Sequence, residues 1–292
     1  MRNLLIAFAL AFLVAATSAA QLQSDPKGGD LTRGVPSPNG RTAEGGVEFI
    51  NPGTPVIKDS EINSQPVPKL PDGHIDLTGP WVGGGTVADI ERDGGLKPGE
   101  LPLLPWAKEL QAKRRSQDDP YTACLPMSVL RTNPYPWKFV MGYTSKGLSH
   151  IYILHELMDD GAHRVVYMDG RKHPAGFIPS WLGHSIGRWD GDALIIESVN
   201  FKPWILDDYH YTDATKSRWH TDALKTTERL QRAGNKLQYR ITIDDSKIFE
   251  RPWSQDFELT LRPDWNELGL LEYVCEENNR CPGGKCRASD VQ

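Results

Sequence analysis

An imidazole and a carboxylate, His184 and Glu197, lie on either side of the dipeptide Asp190-Gly191, and the turn made there decides whether they meet. Asp-Gly is a preferred filling of a two-residue type I′ turn, where both central residues take positive φ. With Asp190-Gly191 as the loop, Trp189 pairs with Asp192. Counting outward sets Arg188 opposite Ala193, Ile186 opposite Ile195, His184 opposite Glu197 and Leu182 opposite Val199, all on one mostly aliphatic face. A carboxylate that orients one ring nitrogen leaves the other to move a proton, which is the chemistry of a general acid/base. Arg188, on the same face, is placed to hold an oxyanion or a substrate carboxylate. The same residues would also make a self-satisfied structural network, and the sequence leaves both readings open.

A second hairpin brings in further ionisable groups. Gly234-Asn235 as a two-residue loop pairs Arg232 with Leu237, Leu230 with Tyr239, Glu228 with Ile241 and Thr226 with Ile243. The opposite face then holds Arg229 with Arg240 and Gln231 with Gln238, which must be solvated, so Glu228 points to the apolar side. The same alternation sends His155, between Ile153 and Leu157, toward the core, and His220, just before its strand, reaches the same space. The catalytic set expected is His184, Glu197, Glu228 and His220. Arg188, His155, Trp181 and Trp219 are expected to bind substrate, the two tryptophans lining a mouth for a flat ligand together with Trp204. Packing is the simpler role for each tryptophan taken singly.

Other chemistries find less support. A zinc held by His184, Glu197 and His220 is conceivable, but no H-E-x-x-H or H-x-H spacing accompanies it, and no metal or other cofactor is expected. Gly183-His184-Ser185-Ile186-Gly187 does not match the G-x-S-x-G nucleophile elbow. Gly83-Gly84-Gly85 opens no helix and lacks the Lys-Ser/Thr of a phosphate loop. A net charge of −5 supplies no basic footprint for a nucleic acid, so a small-molecule ligand is the expected partner.

The elements that must position these groups follow from patterning. Residues 1–20 read as a secretory signal peptide, with Arg2, an apolar stretch from Leu4 to Ala16, and small residues Ser18 and Ala20. That stretch is too short to span a bilayer, and no membrane span is expected. Residues 21–70, dense in Pro, Gly, Ser, Asn and Asp, read as a disordered arm. A folded domain is expected over 71–277 and a short tail over 278–292. One helix is expected from Leu104 to Arg115, with Pro105 at its first position. After Pro134 the period becomes two, giving strands Trp137–Tyr143, Leu148–Met158, His163–Met168, Leu182–Trp189, Asp192–Val199, Asp222–Arg232, Lys236–Asp244, Trp253–Arg262 and Leu268–Cys275. Short turns link most of them, the pattern of a mainly β, antiparallel meander that closes on itself to remove its edges.

All four cysteines follow the leader, as suits an oxidising compartment. Cys281 and Cys286 are close enough to pair locally, which leaves Cys124 to join Cys275, a bridge of about 2–4 kcal/mol.

Two resemblances add to this reading. Asp76-Leu-Thr-Gly-Pro-Trp81 resembles the G-x-W element that opens lipocalin-type barrels, where the tryptophan packs across the closed end. The stretches at 76–81, 104–110, 118–126, 181–197, 220–229 and 241–245 resemble a family of exported bacterial β-barrel proteins. That resemblance implies an exported β-barrel-like protein and no reaction; with the strand pattern, the G-x-W element and the helix at 104–115, the fold expected is a lipocalin-like barrel with one N-terminal helix. The expectation drawn is an exported enzyme that performs metal-independent proton transfer, as isomerase, lyase or hydrolase, on a partly apolar small molecule. The alternative is a non-catalytic carrier of a hydrophobic ligand.

Overall fold

The computed structural model describes residues 59–83, 90–93, 96–113, 124–130, 136–156, 163–207, 218–263 and 270. Nine strands form a closed barrel: β1 Gly79–Gly83, β2 Trp137–Thr144, β3 Gly147–His155, β4 His163–Tyr167, β5 His184–Asp190, β6 Ala193–Val199, β9 Lys225–Ala233, β10 Lys236–Asp244 and β11 Trp253–Leu261. Two short strands, β7 Trp204–Ile205 and β8 Trp219–His220, pair separately. The ring runs in chain order, with β6 meeting β9 and β11 closing on β1. Mainly β architecture and barrel closure therefore stand as expected.

An odd number of strands cannot alternate direction all the way round a ring, so one neighbouring pair must be parallel. That pair is β4 with β5, in register Val166 with Ser185. A parallel step needs a long return, and residues 168–183 supply it along the outside of the wall. The return is pinned beside β6: Ser180 accepts from the Lys202 backbone N–H at 2.8 Å and donates its own N–H to Asn200 at 3.1 Å.

The register identifies the lumen side of every strand. Trp81, Trp137, Phe139, Ile151, Ile153, Leu194, Ile196, Leu230, Leu237, Tyr239, Ile241 and Leu259 share it, and all are almost fully buried. The β9–β10 hairpin has the register read from Gly234-Asn235, pair for pair from Ala233 with Lys236 to Thr226 with Ile243.

The β5–β6 hairpin departs from its expected register. Asp190 pairs with Ala193, so Gly191-Asp192 is the loop, and only Gly191 of the two takes a positive φ, +58°. Glycine in the first loop position is the type II′ arrangement rather than type I′. Partners move by two residues: His184 now faces Val199, and Glu197 faces Ile186.

Both ends of the barrel are covered. At the β9–β10 hairpin end, a strap from Asp59 onward carries helix α1 (Asp59–Asn63), whose Asn63 Oδ1 accepts from the Asn235 N–H at 2.9 Å. Trp81 lies beneath this strap, donating from Nε1 to Leu77 at 2.8 Å with the Arg232 guanidinium 5.4 Å from its ring. Residues 59–70 were expected in the flexible arm. Instead Ile62 and Val67 pack on the core and Leu70 is buried; three spaced apolar side chains in a polar stretch are enough to dock it.

The opposite end is covered by α2 (Ile90–Asp93), α3 (Pro105–Lys113) and the β7–β8 pair. α3 begins at the proline, as its fixed φ favours. Arg218, 3% exposed, joins this cover to itself, donating from Nη2 to Glu91 and from Nη1 to Asp207, each at 2.7 Å. The stretch expected to be a signal peptide, residues 1–20, the last expected strand apart from Leu270, and Cys275, Cys281 and Cys286 lie outside the described residues.

Gly183 closes the crossover at φ +68°, and a Cβ there would stand 2.7 Å from the Val199 carbonyl oxygen. Backbone cannot yield as a side chain does. Gly183→Ala is expected to cost about 2–4 kcal/mol, strain and overlap together. Gly73→Ala, at φ +88° with open space around it, should cost only the strain, about 1–2 kcal/mol. Urea unfolding of both variants checks the difference.

Candidate functional site

Five side chains from five strands meet inside the barrel. Glu228 of β9, 1% exposed, reaches across the lumen to Arg164 of β4, 4% exposed, whose Nη2 donates to Oε2 at 2.9 Å. Tyr239 of β10 donates its hydroxyl to the same oxygen at 3.1 Å. The Tyr239 ring stands edge-on to Trp137 of β2, with centroids 5.6 Å apart, and Trp137 stacks on His155 of β3 at 5.2 Å. Alternation produces the whole layer: each residue occupies a lumen-facing position of its strand.

Burial pulls the Arg164 guanidinium down, but the Glu228 carboxylate and its hydrogen bond outweigh it, so Arg164 sits above the ordinary arginine value. The ion pair is incompletely satisfied. Among the described residues Glu228 Oε1, Arg164 Nε and Trp137 Nε1 are buried without a hydrogen-bond partner. Buried polar atoms in that condition are uncommon and require an explanation in folded proteins.

Glu228 and His155 thus face the lumen as expected, whereas the proposed acid/base pair does not. His184, Ile186, Arg188, Ile195, Glu197 and Val199 occupy the outer face of β5–β6; Ser185, Gly187, Trp189, Leu194, Ile196 and Ser198 face inward. Parity alone could not choose between the faces, because Ala193, Leu194, Ile195 and Ile196 are all buried. Arg188 and Glu197 form an exposed ion pair at 3.5 Å, the kind worth little to stability.

His184 is nevertheless buried, beneath the crossover. Its Nδ1 lies 2.9 Å from Nδ1 of His173, with one ring donating and the other accepting. Tyr167 stacks on it at 5.2 Å, and Phe177 meets it edge-on at 5.0 Å. Burial lowers both histidine pKa values. His173 and Arg171 lower that of His184 further, while Glu197 acts on His173 in the opposite sense.

Of the remaining expected residues, His220 and Trp219 lie in the end cover and Trp181 lies on the return before β5, against Trp204 of the cover. His220, 1% exposed on β8, donates from Nδ1 to the Thr221 carbonyl at 3.1 Å and is edge-on to Phe201. Trp219 lines a groove with Leu103, Ala107, Leu110 and Ile248. Trp181 packs on Trp204 at 4.1 Å, beneath the Lys202 ammonium. His184, Glu197 and His220 are therefore not assembled around one point, and among the described residues no group of three His, Cys, Asp or Glu is placed to hold a metal ion.

Sequence reasoning missed Arg164, Tyr239 and His173. Alternation puts Arg164 on the same face as Val166, but only the pairing with Ile153 shows that this face is the lumen.

Compared with family models, curated proteins and solved structures, the chain matches none of them.

Two outcomes are expected from these contacts. Arg164→Met or Glu228→Met alone should destabilise the barrel by about 3–5 kcal/mol, because each strands a buried charge, while the double substitution should cost far less. Denaturant unfolding of the three variants tests this. His220 is depressed from 6.5 to about 4, chiefly by burial, against the opposing effects of Thr221 and Asp245. The unfolded chain therefore takes up this proton first, and stability is lost as pH falls from 6.5 toward 4, by up to about 3 kcal/mol. In His220→Leu that component is absent, so the stability gap to wild type should narrow by that amount across the window. Urea titrations at each pH measure it.

Proposed function

We infer that this chain is an exported small-molecule-binding barrel, a carrier that holds a partly apolar ligand in its lumen. One observation carries the reading: Glu228 Oε1, Arg164 Nε and Trp137 Nε1 are buried, partnerless and all on lumen-facing side chains. Polar groups are costly to bury without partners, and a bound molecule would supply them. An apolar wall with a few convergent polar groups is also the usual make-up of a ligand site.

Acid/base catalysis is a second reading, and it moves to the outer wall. Its support is the His173–His184 contact, in which two imidazoles with lowered pKa values share a donor and an acceptor. His184 would remain the proton carrier, with His173 rather than Glu197 orienting it.

Export belongs to the same proposal and rests on residues 1–20. The pairing of Cys124 with Cys275, and of Cys281 with Cys286, belongs with it; no cysteine among the described residues is a free thiol.

Mass spectrometry of the protein purified from the exported fraction tests the proposal. The chain should begin at Gln21, and denaturation should release a small molecule that His184→Ala retains equally. A chain that keeps its leader overturns export. Chemical conversion of the released molecule by the native protein, abolished in His184→Ala, overturns the carrier reading in favour of the enzyme.

A further inference from the structure

The geometry points to an uncharged planar aromatic ligand bearing a hydroxyl, a phenol-type molecule held between Glu228 Oε1 and Arg164 Nε. The proposal rests on the lumen-binding reading above and specifies its chemistry.

Charge sets the first requirement. Arg164 and Glu228 already neutralise each other inside the barrel. A carboxylate or ammonium ligand would add a charge with no counterpart in a medium that solvates ions poorly, so the ligand is neutral.

Hydrogen bonding sets the second. Glu228 Oε2 is used twice, by Arg164 Nη2 and by the Tyr239 hydroxyl, while Oε1 is not used. Arg164 presents Nε and Nη2 as parallel donors along one edge of its fork, and Nε has no partner. What remains is one acceptor and one donor on the two members of a single ion pair. A hydroxyl meets both with one oxygen, donating to the carboxylate and accepting from the N–H. Tyr239 shows the donating half of this mode, since its own phenol bonds the same carboxylate at 3.1 Å.

The walls set the third. Trp137 is in ring contact with Phe139 at 5.5 Å, His155 at 5.2 Å and Tyr239 at 5.6 Å. These rings pack on one another and, through Tyr239, border the ion pair with aromatic rather than branched aliphatic side chains, surroundings that suit a flat ring.

Calorimetric titration of the intact exported protein with 2-naphthol, naphthalene and 2-naphthoate tests this. 2-Naphthol should bind about tenfold or more tightly than naphthalene, as a hydrogen bond to a charged group would provide, and 2-naphthoate should show no measurable binding. In the Arg164→Met/Glu228→Met double variant, naphthalene should still bind and the preference for 2-naphthol should vanish. Naphthalene or 2-naphthoate binding the native protein as tightly as 2-naphthol overturns the hydroxyl assignment while leaving lumen binding intact. A preference for 2-naphthol that survives in the double variant also overturns it, because the hydroxyl is then read elsewhere. No binding by any of the three overturns lumen binding and this proposal together. If the double variant does not fold, the ranking of the three probes on the native protein decides alone.

Discussion

A closed ring of nine strands must contain a parallel step, and much of this molecule's organisation descends from where that step falls. Because β4 and β5 run together, residues 168–183 must return along the outside before β5 can begin. The return covers part of the outer face of β5, which would otherwise meet water, and this lets an imidazole and aromatic rings be buried there. His184 is therefore buried without being internal. In an up-and-down barrel with an even strand count, every connection can be a tight turn at the rim, and an outward histidine at this position would be solvated.

The lumen follows a different rule. Among its buried apolar side chains it is crossed by an ion pair, and such a pair seldom adds net stability over apolar residues of equal volume. Its benefit lies in specifying the arrangement. Arg164 and Glu228 come from strands on different sides of the ring, and a one-residue slip of β4 or β9 would turn one of them out to solvent and leave the other buried alone. The pair thus penalises misregister on both sides of the barrel. The same pair leaves an acceptor and a donor uncommitted, so a feature that enforces the fold also makes the lumen chemically specific.

How much of this was legible depended on whether a strand's two faces differ. In β9–β10 they do: Arg229 with Arg240 and Gln231 with Gln238 make one face wholly polar, so the Gly234-Asn235 turn determines both register and side, and Glu228 falls on the buried face. In β5–β6 they do not. Ala193 through Ile196 are apolar on both parities, and the turn carries Asp on either side of Gly191, so neither the loop position nor the inward face could be read from composition. Arg164 was missed for a related reason: its strand is short and no hairpin turn ties it to a partner whose side was known. Barrel closure was legible from many short period-two strands, but the parallel step was not, because residues 168–183, though long enough for a crossover, lack the helical period that would mark one. The cross-lumen pairing is a property of closure itself, and no local pattern encodes it.

The end cover shows how buried titratable groups of opposite type can offset one another. His220 on β8 and Asp207 just after β7 belong to the same small unit. Burial raises Asp207 to about 6 although Arg218 and two backbone N–H groups favour its ionised form. The folded state therefore holds the Asp207 proton more tightly than the unfolded chain does, so this group's contribution is greatest below the ordinary aspartate value and falls as pH rises through 6. His220 has the reverse dependence over an overlapping window, losing stability as pH falls. One group gains as the other loses, and the cover's stability changes less with moderate acidification than either residue alone would dictate. The Arg218 bonds to Glu91 and Asp207 matter most where Asp207 is ionised, so at neutral pH the cover depends on that charged triad and on the neutrality of His220 together.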